Sequence, residues 1–84
     1  MKRTFTLCTE NSCCPVVEVE QEMYTVKDDF GGVLTAGRGW LLDCVVVALV
    51  MNHDDVVTIG TDGTGKVKLL RGELEMLEKD LRGN

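Results

Sequence analysis

Trp40-Leu41-Leu42-Asp43-Cys44-Val45-Val46-Val47-Ala48-Leu49-Val50-Met51 is the stretch on which the fold turns. Eleven of its 12 residues are apolar, and two readings compete for it. Val45, Val46, Val47 and Val50 favour a buried strand, because β-branched side chains lose rotamers against the preceding turn of a helix. The flanking sequence favours a helix. Sliding the chain by 33 residues sets Thr25 on Thr58, Asp29 on Asp62, Gly32 on Gly65, Arg38 on Arg71, Gly39 on Gly72 and Leu41 on Leu74. The same shift lays Met23, Tyr24 and Val26 on Val56, Val57 and Ile59. If the two halves repeat one unit, each is a hairpin followed by a helix, and residues 38–51 are the helix of the first. A helix apolar on every side has to be covered on every side, by the sheet and by a partner. Strand remains the competing reading.

Downstream, residues 56–59 and 66–70 read as a hairpin around Gly60-Thr61-Asp62-Gly63-Thr64-Gly65. Leu70, Leu74, Leu77 and Leu81 then recur at i, i+4, i+7 and i+11, the spacing of an amphipathic helix. Glu73, Glu75, Glu78, Lys79 and Asp80 form its wet face, and Gly83 sits where a helix ends. Upstream, residues 4–9 read as a strand and are followed by a turn-rich segment closing on Cys13-Cys14-Pro15. From residue 16 the pattern alternates, with Val17 and Val19 on one face and Glu18 and Glu20 on the other. Residues 23–27 and 33–35 are further short strands about the turn Asp28-Asp29-Phe30-Gly31-Gly32. The expected fold is α+β: a small antiparallel sheet of hairpins, one long C-terminal helix, and a second, buried apolar helix. Residues 1–84 form a single domain, with a ββα-ββα pseudo-repeat.

Length and charge exclude several function classes. At 84 residues and 9.3 kDa there is no room for a large nucleotide-binding fold. A chain of this size has a thin core, which self-association would relieve. The net charge of −5 is spread along the chain without a basic cluster, which argues against nucleic acid. The apolar run is shorter than the roughly 20 residues of a membrane span, so no membrane association is expected. No apolar leader follows Lys2 and Arg3, so the chain reads as cytoplasmic, with its four cysteines as thiols.

Three motifs invite a chemical reading. Gly60-x-x-Gly63-x-Gly65-Lys66 after an apolar strand resembles the phosphate-binding loop of P-loop nucleotidases. The position that would hold Mg²⁺ is Val67, however, and the following residues alternate as a strand, so no nucleotide is expected. Read as a calcium loop, the same stretch offers one carboxylate and places Arg71 at the bidentate position. Cys8, Cys13 and Cys14 place three soft ligands within seven residues, with Cys44 or His53 available as a fourth. A Zn²⁺ ion there would stabilise a small domain, although adjacent cysteines point opposite ways in a strand. Glu18, Glu20 and Glu22 fall at period two, an acidic strand face suited to a basic partner or simply to solvent.

These readings leave two expectations. The first is a non-enzymatic protein-interaction module without a cofactor. It self-associates, as a homodimer, through residues 40–51, with Trp40, Val47 and Met51 as contacts, and presents Glu18, Glu20 and Glu22 to a protein partner. The alternative is a small thiol or zinc protein using Cys8, Cys13 and Cys14.

Overall fold

Alternation at period two builds the first layer. In the computed structural model, which describes residues 2–7 and 15–83, Val17, Val19, Tyr24, Val26, Leu34 and Ala36 all point inward from three consecutive strands. The strands are β2 (Val16–Glu20), β3 (Met23–Lys27) and β4 (Val33–Gly37), preceded by β1 (Lys2–Thr6). They form a four-stranded antiparallel sheet in the order β1-β2-β3-β4. β5 (Val56–Thr61) and β6 (Gly65–Leu70) pair antiparallel as a two-stranded sheet. Two helices, α1 (Arg38–Met51) and α2 (Arg71–Leu81), follow β4 and β6 directly. The fold is therefore α+β, and residues 40–51 are helical.

Three expectations need correction. The C-terminal helix is not long: α2 has 11 residues against 14 in α1. Leu70 belongs to β6, and Gly83 adopts φ 87°, a left-handed conformation that keeps the helix from continuing past Leu81. Nor is α1 buried all round. Leu41, Val45 and Ala48 face the core, while Trp40, Val47, Val50 and Met51 remain exposed. Finally, Glu73 is not on the wet face of α2. It is 2% exposed, because its carboxylate turns back to accept the Leu70 backbone N–H at 2.7 Å. That bond satisfies a donor which the helix itself leaves unpaired at its N-terminus.

Reciprocal contacts tie the two hairpin–helix units together. Arg38, which opens α1, donates from Nε to the Leu81 carbonyl at the end of α2, 2.7 Å away. Arg71, which opens α2, donates to the carbonyls of Asn52 and Leu49 at the end of α1, at 2.5 and 2.6 Å. The helices thus run antiparallel, and each ends on the other's first residue. In addition, the backbone N–H of Arg38 bonds Glu22 O at 3.0 Å, and that of Arg71 bonds Asp55 O at 2.8 Å.

β4 and β6 meet in the same crosswise fashion. A Cβ on Gly32 would stand 2.5 Å from the Lys66 carbonyl oxygen, and one on Gly65 would overlap the Val33 carbonyl oxygen. Side groups there hold the junction. Asp28 accepts from Phe30 N, Gly32 N and, across the junction, Lys68 N at 2.7 Å. Thr35 N donates to Thr64 O at 3.0 Å from the other side. Burial works against the Asp28 carboxylate, yet the N–H groups of Lys68, Gly32 and Phe30 outweigh it and hold its pKa below the ordinary value.

Gly65 carries both a steric and a conformational demand, since its φ is 90°. Gly65→Ala is expected to lose about 2–4 kcal/mol of stability in urea unfolding. Gly39, whose Cβ would meet open space on α1, is the control: Gly39→Ala gains roughly 0.5 kcal/mol. Equal effects of the two substitutions would contradict the close approach of β4 to β6.

Candidate interaction surface

The outward residues of α1 are spaced as a seam. Trp40, Asp43, Val47 and Val50 follow the 3-4-3 step that keeps one stripe of a helix in line, with Met51 beside its end. Trp40 is 42% exposed, Val47 58%, Val50 66% and Met51 72%. The inward stripe of Leu41, Val45 and Ala48 lies on the other side of the helix and is buried. α2 serves as an internal comparison. It meets solvent with Glu75, Lys79 and one methionine, Met76, and its following turn is held by an Arg82–Glu78 ion pair at 2.8 Å. Each helix follows a pair of antiparallel strands, β3–β4 or β5–β6, yet of the two only α1 turns a bulky apolar stripe outward.

Cys44 lies on α1 between the two stripes, half-buried, as a free thiol packed against the core. His53 is exposed in the segment after α1. Cys8, Cys13 and Cys14 lie outside the described residues. Among the described residues, no group of three or more His, Cys, Asp and Glu side chains is placed to hold a metal ion. No helix among them is long and apolar enough to cross a membrane.

The proposed acidic face is assembled differently from its spacing. Glu18 and Glu20 point outward from β2, but Glu22 belongs to the tight turn between β2 and β3. That turn forces Gln21 to φ 57°, so period two stops at residue 20. Glu18, moreover, is not a free charge. Lys2 reaches it diagonally across β1–β2 at 2.7 Å, and Lys27 across β2–β3 at 2.9 Å. Hydrogen bonds from Lys2 and then Lys27, with their positive charges, pull the Glu18 pKa down to about 2. The shallow depression beside these residues, about 330 Å³ over Lys2, Glu18, Glu20, Gln21, Met23 and Thr25, therefore has mixed charge.

Sequence reasoning missed a second cluster, where β1 meets α2. Arg3 grips Asp80 with two hydrogen bonds of 3.0 and 2.9 Å, and its guanidinium lies 4.8 Å from the Phe5 ring centre. Tyr24, inside the sheet, donates from its hydroxyl to the same carboxylate at 3.2 Å. The Arg3 hydrogen bonds hold Asp80 below its ordinary pKa despite partial burial. Burial, reinforced by the Asp80 charge, raises the Tyr24 pKa. Arg3 and Asp80 are 77 positions apart, so no local pattern announces the pair.

The glycine-rich loop proves to be a hairpin turn of three residues between β5 and β6. Thr61 and Thr64 bond each other across it, and Lys66 pairs with Asp62 at 3.3 Å. Strand β6, not a helix, follows the loop, so no helix N-terminus points at a phosphate position. Comparison with protein-family models, with curated proteins and with solved structures finds no match to this chain.

The Glu18 pairing can be read in solution. Because its folded pKa lies below the unfolded value, the pair stabilises the fold above the ordinary glutamate range, and that stabilisation is lost as pH falls towards 2. An NMR titration should place the Glu18 carboxyl midpoint near 2, and Lys27→Met should raise it. A midpoint in the ordinary range for glutamate would contradict both ion pairs.

Proposed function

We propose that this chain is a small, non-enzymatic interaction module that self-associates through the exposed face of α1. The observation that carries the reading is the seam of Trp40, Val47 and Val50, with Met51 at its end, on a helix whose opposite stripe already fills the core. Exposed apolar side chains in one continuous stripe mark an association surface. Burying each against an equivalent stripe recovers roughly 25 cal/mol per Å². A second copy offers a stripe of the same width and length. Asp43 sits within the seam, and one polar group at such a position fixes register at some cost in stability. The acidic-face part of the earlier expectation is not carried forward, because two lysines already neutralise Glu18.

The seam from Trp40 to Met51 spans about 17 Å of helix, so the contact falls at the small end of protein interfaces and the expected dimer is a reversible one. In sedimentation velocity the protein is expected to shift from monomer to dimer as concentration rises. Val47→Glu abolishes the shift while the melting temperature stays close to the parent's, since residue 47 lies outside the core. A protein that stays monomeric up to the concentrations used for NMR would overturn the proposal.

We further propose that residues 23–51 and 56–83 are two copies of one ββα unit. Several observations support it. β3 and β5 begin 33 residues apart, as do α1 and α2. Arg38 and Arg71 stand at equivalent positions and each caps the other unit's helix. Gly32 and Gly65 are equivalent too, and each meets the residue after the other. Arg38→Met and Arg71→Met are then expected to cost comparable amounts, about 1–3 kcal/mol each, in denaturant unfolding. A severe loss in one with no loss in the other would count against equivalence.

A further inference from the structure

Of the six described strands, β1 alone contains no buried residue. We infer that it is a strap, which opens as a unit of its own, hinged where Leu7 meets Pro15 and latched by the Arg3–Asp80 clasp. β1 lies at the edge of its sheet and pairs with β2 alone. Only Phe5 among its five residues packs against the core, and that one is part-buried. The next residue, Leu7, is fully buried and donates its backbone N–H to the Pro15 carbonyl at 2.9 Å. That end of the strand is therefore anchored in the core. The other end is held from outside it. Arg3 grips Asp80 through both terminal guanidinium nitrogens, and the Tyr24 hydroxyl donates to the same carboxylate.

An edge strand with little buried surface opens at a lower free energy than the fold as a whole. Isolated surface ion pairs add little to stability, but a bidentate arginine with a second donor on the same carboxylate is the geometry in which one counts. The clasp exists only while β1 is closed, because Asp80 belongs to α2 and Tyr24 to β3. What the strap covers is backbone. The Leu7–Pro15 bond fixes the phase of the ladder, so alternation directs the N–H of Phe5 to β2 and those of Val17 and Val19 to β1. The amides of Glu18 and Glu20 turn the other way, towards β3. Closed, β1 occupies the edge groups of Val17 and Val19. Open, it leaves them as an unpaired sheet edge, of the kind that accepts an added strand. The latch at Arg3 decides whether the sheet ends at β1 or at β2.

Native-state hydrogen exchange on the full chain, followed by NMR at low urea concentrations, tests this. The amides of Phe5, Val17 and Val19 are expected to exchange through an opening nearly independent of urea. They should exchange faster than the slowest amides of β5 and β6, which follow global unfolding. Arg3→Met and Asp80→Asn should each speed those three amides about three- to tenfold. The double variant should go no further than either alone, since both remove one clasp. Ile59→Val, inside the core, should speed the β5 and β6 amides by a similar factor and leave the three unchanged, because Ile59 stays packed when β1 opens. Exchange of all these amides with one shared urea dependence would overturn the strap. A separate opening of β1 that neither clasp variant speeds, or effects that simply add in the double variant, would overturn the clasp as its latch, and the inference with it.

Discussion

Two carbonyl oxygens set the spacing of this molecule. The Val33 oxygen lies where a Gly65 side chain would begin, and the Lys66 oxygen lies where a Gly32 side chain would begin. Only a pair of glycines lets β4 and β6 approach so closely. Once they do, the hairpins' inward residues, Leu34 from one and Val67 and Leu69 from the other, share a single core. The helices that leave the ends of β4 and β6 then emerge close enough to pack antiparallel over it. Asp28 fixes the crossing by accepting backbone hydrogens from its own turn and from β6. Its carboxylate is worth more in that position than in water because backbone donors surround it. The thinness of an 84-residue core is thus offset by polar ties at the places where apolar contact is scarce.

The arginines extend the same logic to the helix ends. An α-helix leaves its last carbonyls without partners, and in a small domain there is little chain to supply donors. Here the first residue of each helix does so for the other, through a charged and rigid donor suited to reaching several carbonyls. One side chain therefore orients two helices. The Arg3–Asp80–Tyr24 cluster repeats the device at the outer edge and ties the first strand to the last helix.

Patterns with a fixed period were legible in the sequence. Period two placed Val17 and Val19 on one face, which is the buried one, and helical spacing did the same for the leucines of α2. The helix over 38–51 came from the alignment of Arg38 with Arg71, not from its own composition, because four valines pull locally towards strand. Tertiary position decided against propensity there. Contacts across the chain were not legible. Glu73 looked wet because it falls between the spaced leucines of α2, and only a helix starting at residue 71 puts it at the position that reaches back to Leu70. Glu18 looked like free charge because Lys2 and Lys27 join it only through strand register. Glu22 looked like strand because nothing in Gln21 announces a left-handed turn. Glu73 and Glu22 were misread by carrying a local period past the point where the backbone changes direction, and Glu18 because its partners arrive only with the sheet.

The exposed stripe of α1 follows from the same geometry that buries the opposite one. Two antiparallel helices share one core, with Leu41, Val45 and Ala48 as the inner face of α1 and Leu74, Leu77 and Leu81 as that of α2. α2 closes its outer face with Glu75 and Lys79, which cost nothing to leave in water. α1 has Trp40, Val47, Val50 and Met51 in the corresponding layer. Val47, Val50 and Met51 leave more than half of their surface in water, so most of their apolar area gains nothing from the folding of a single chain. Apolar area gathered in one stripe of a helix is the area that the proposed self-association would remove from water.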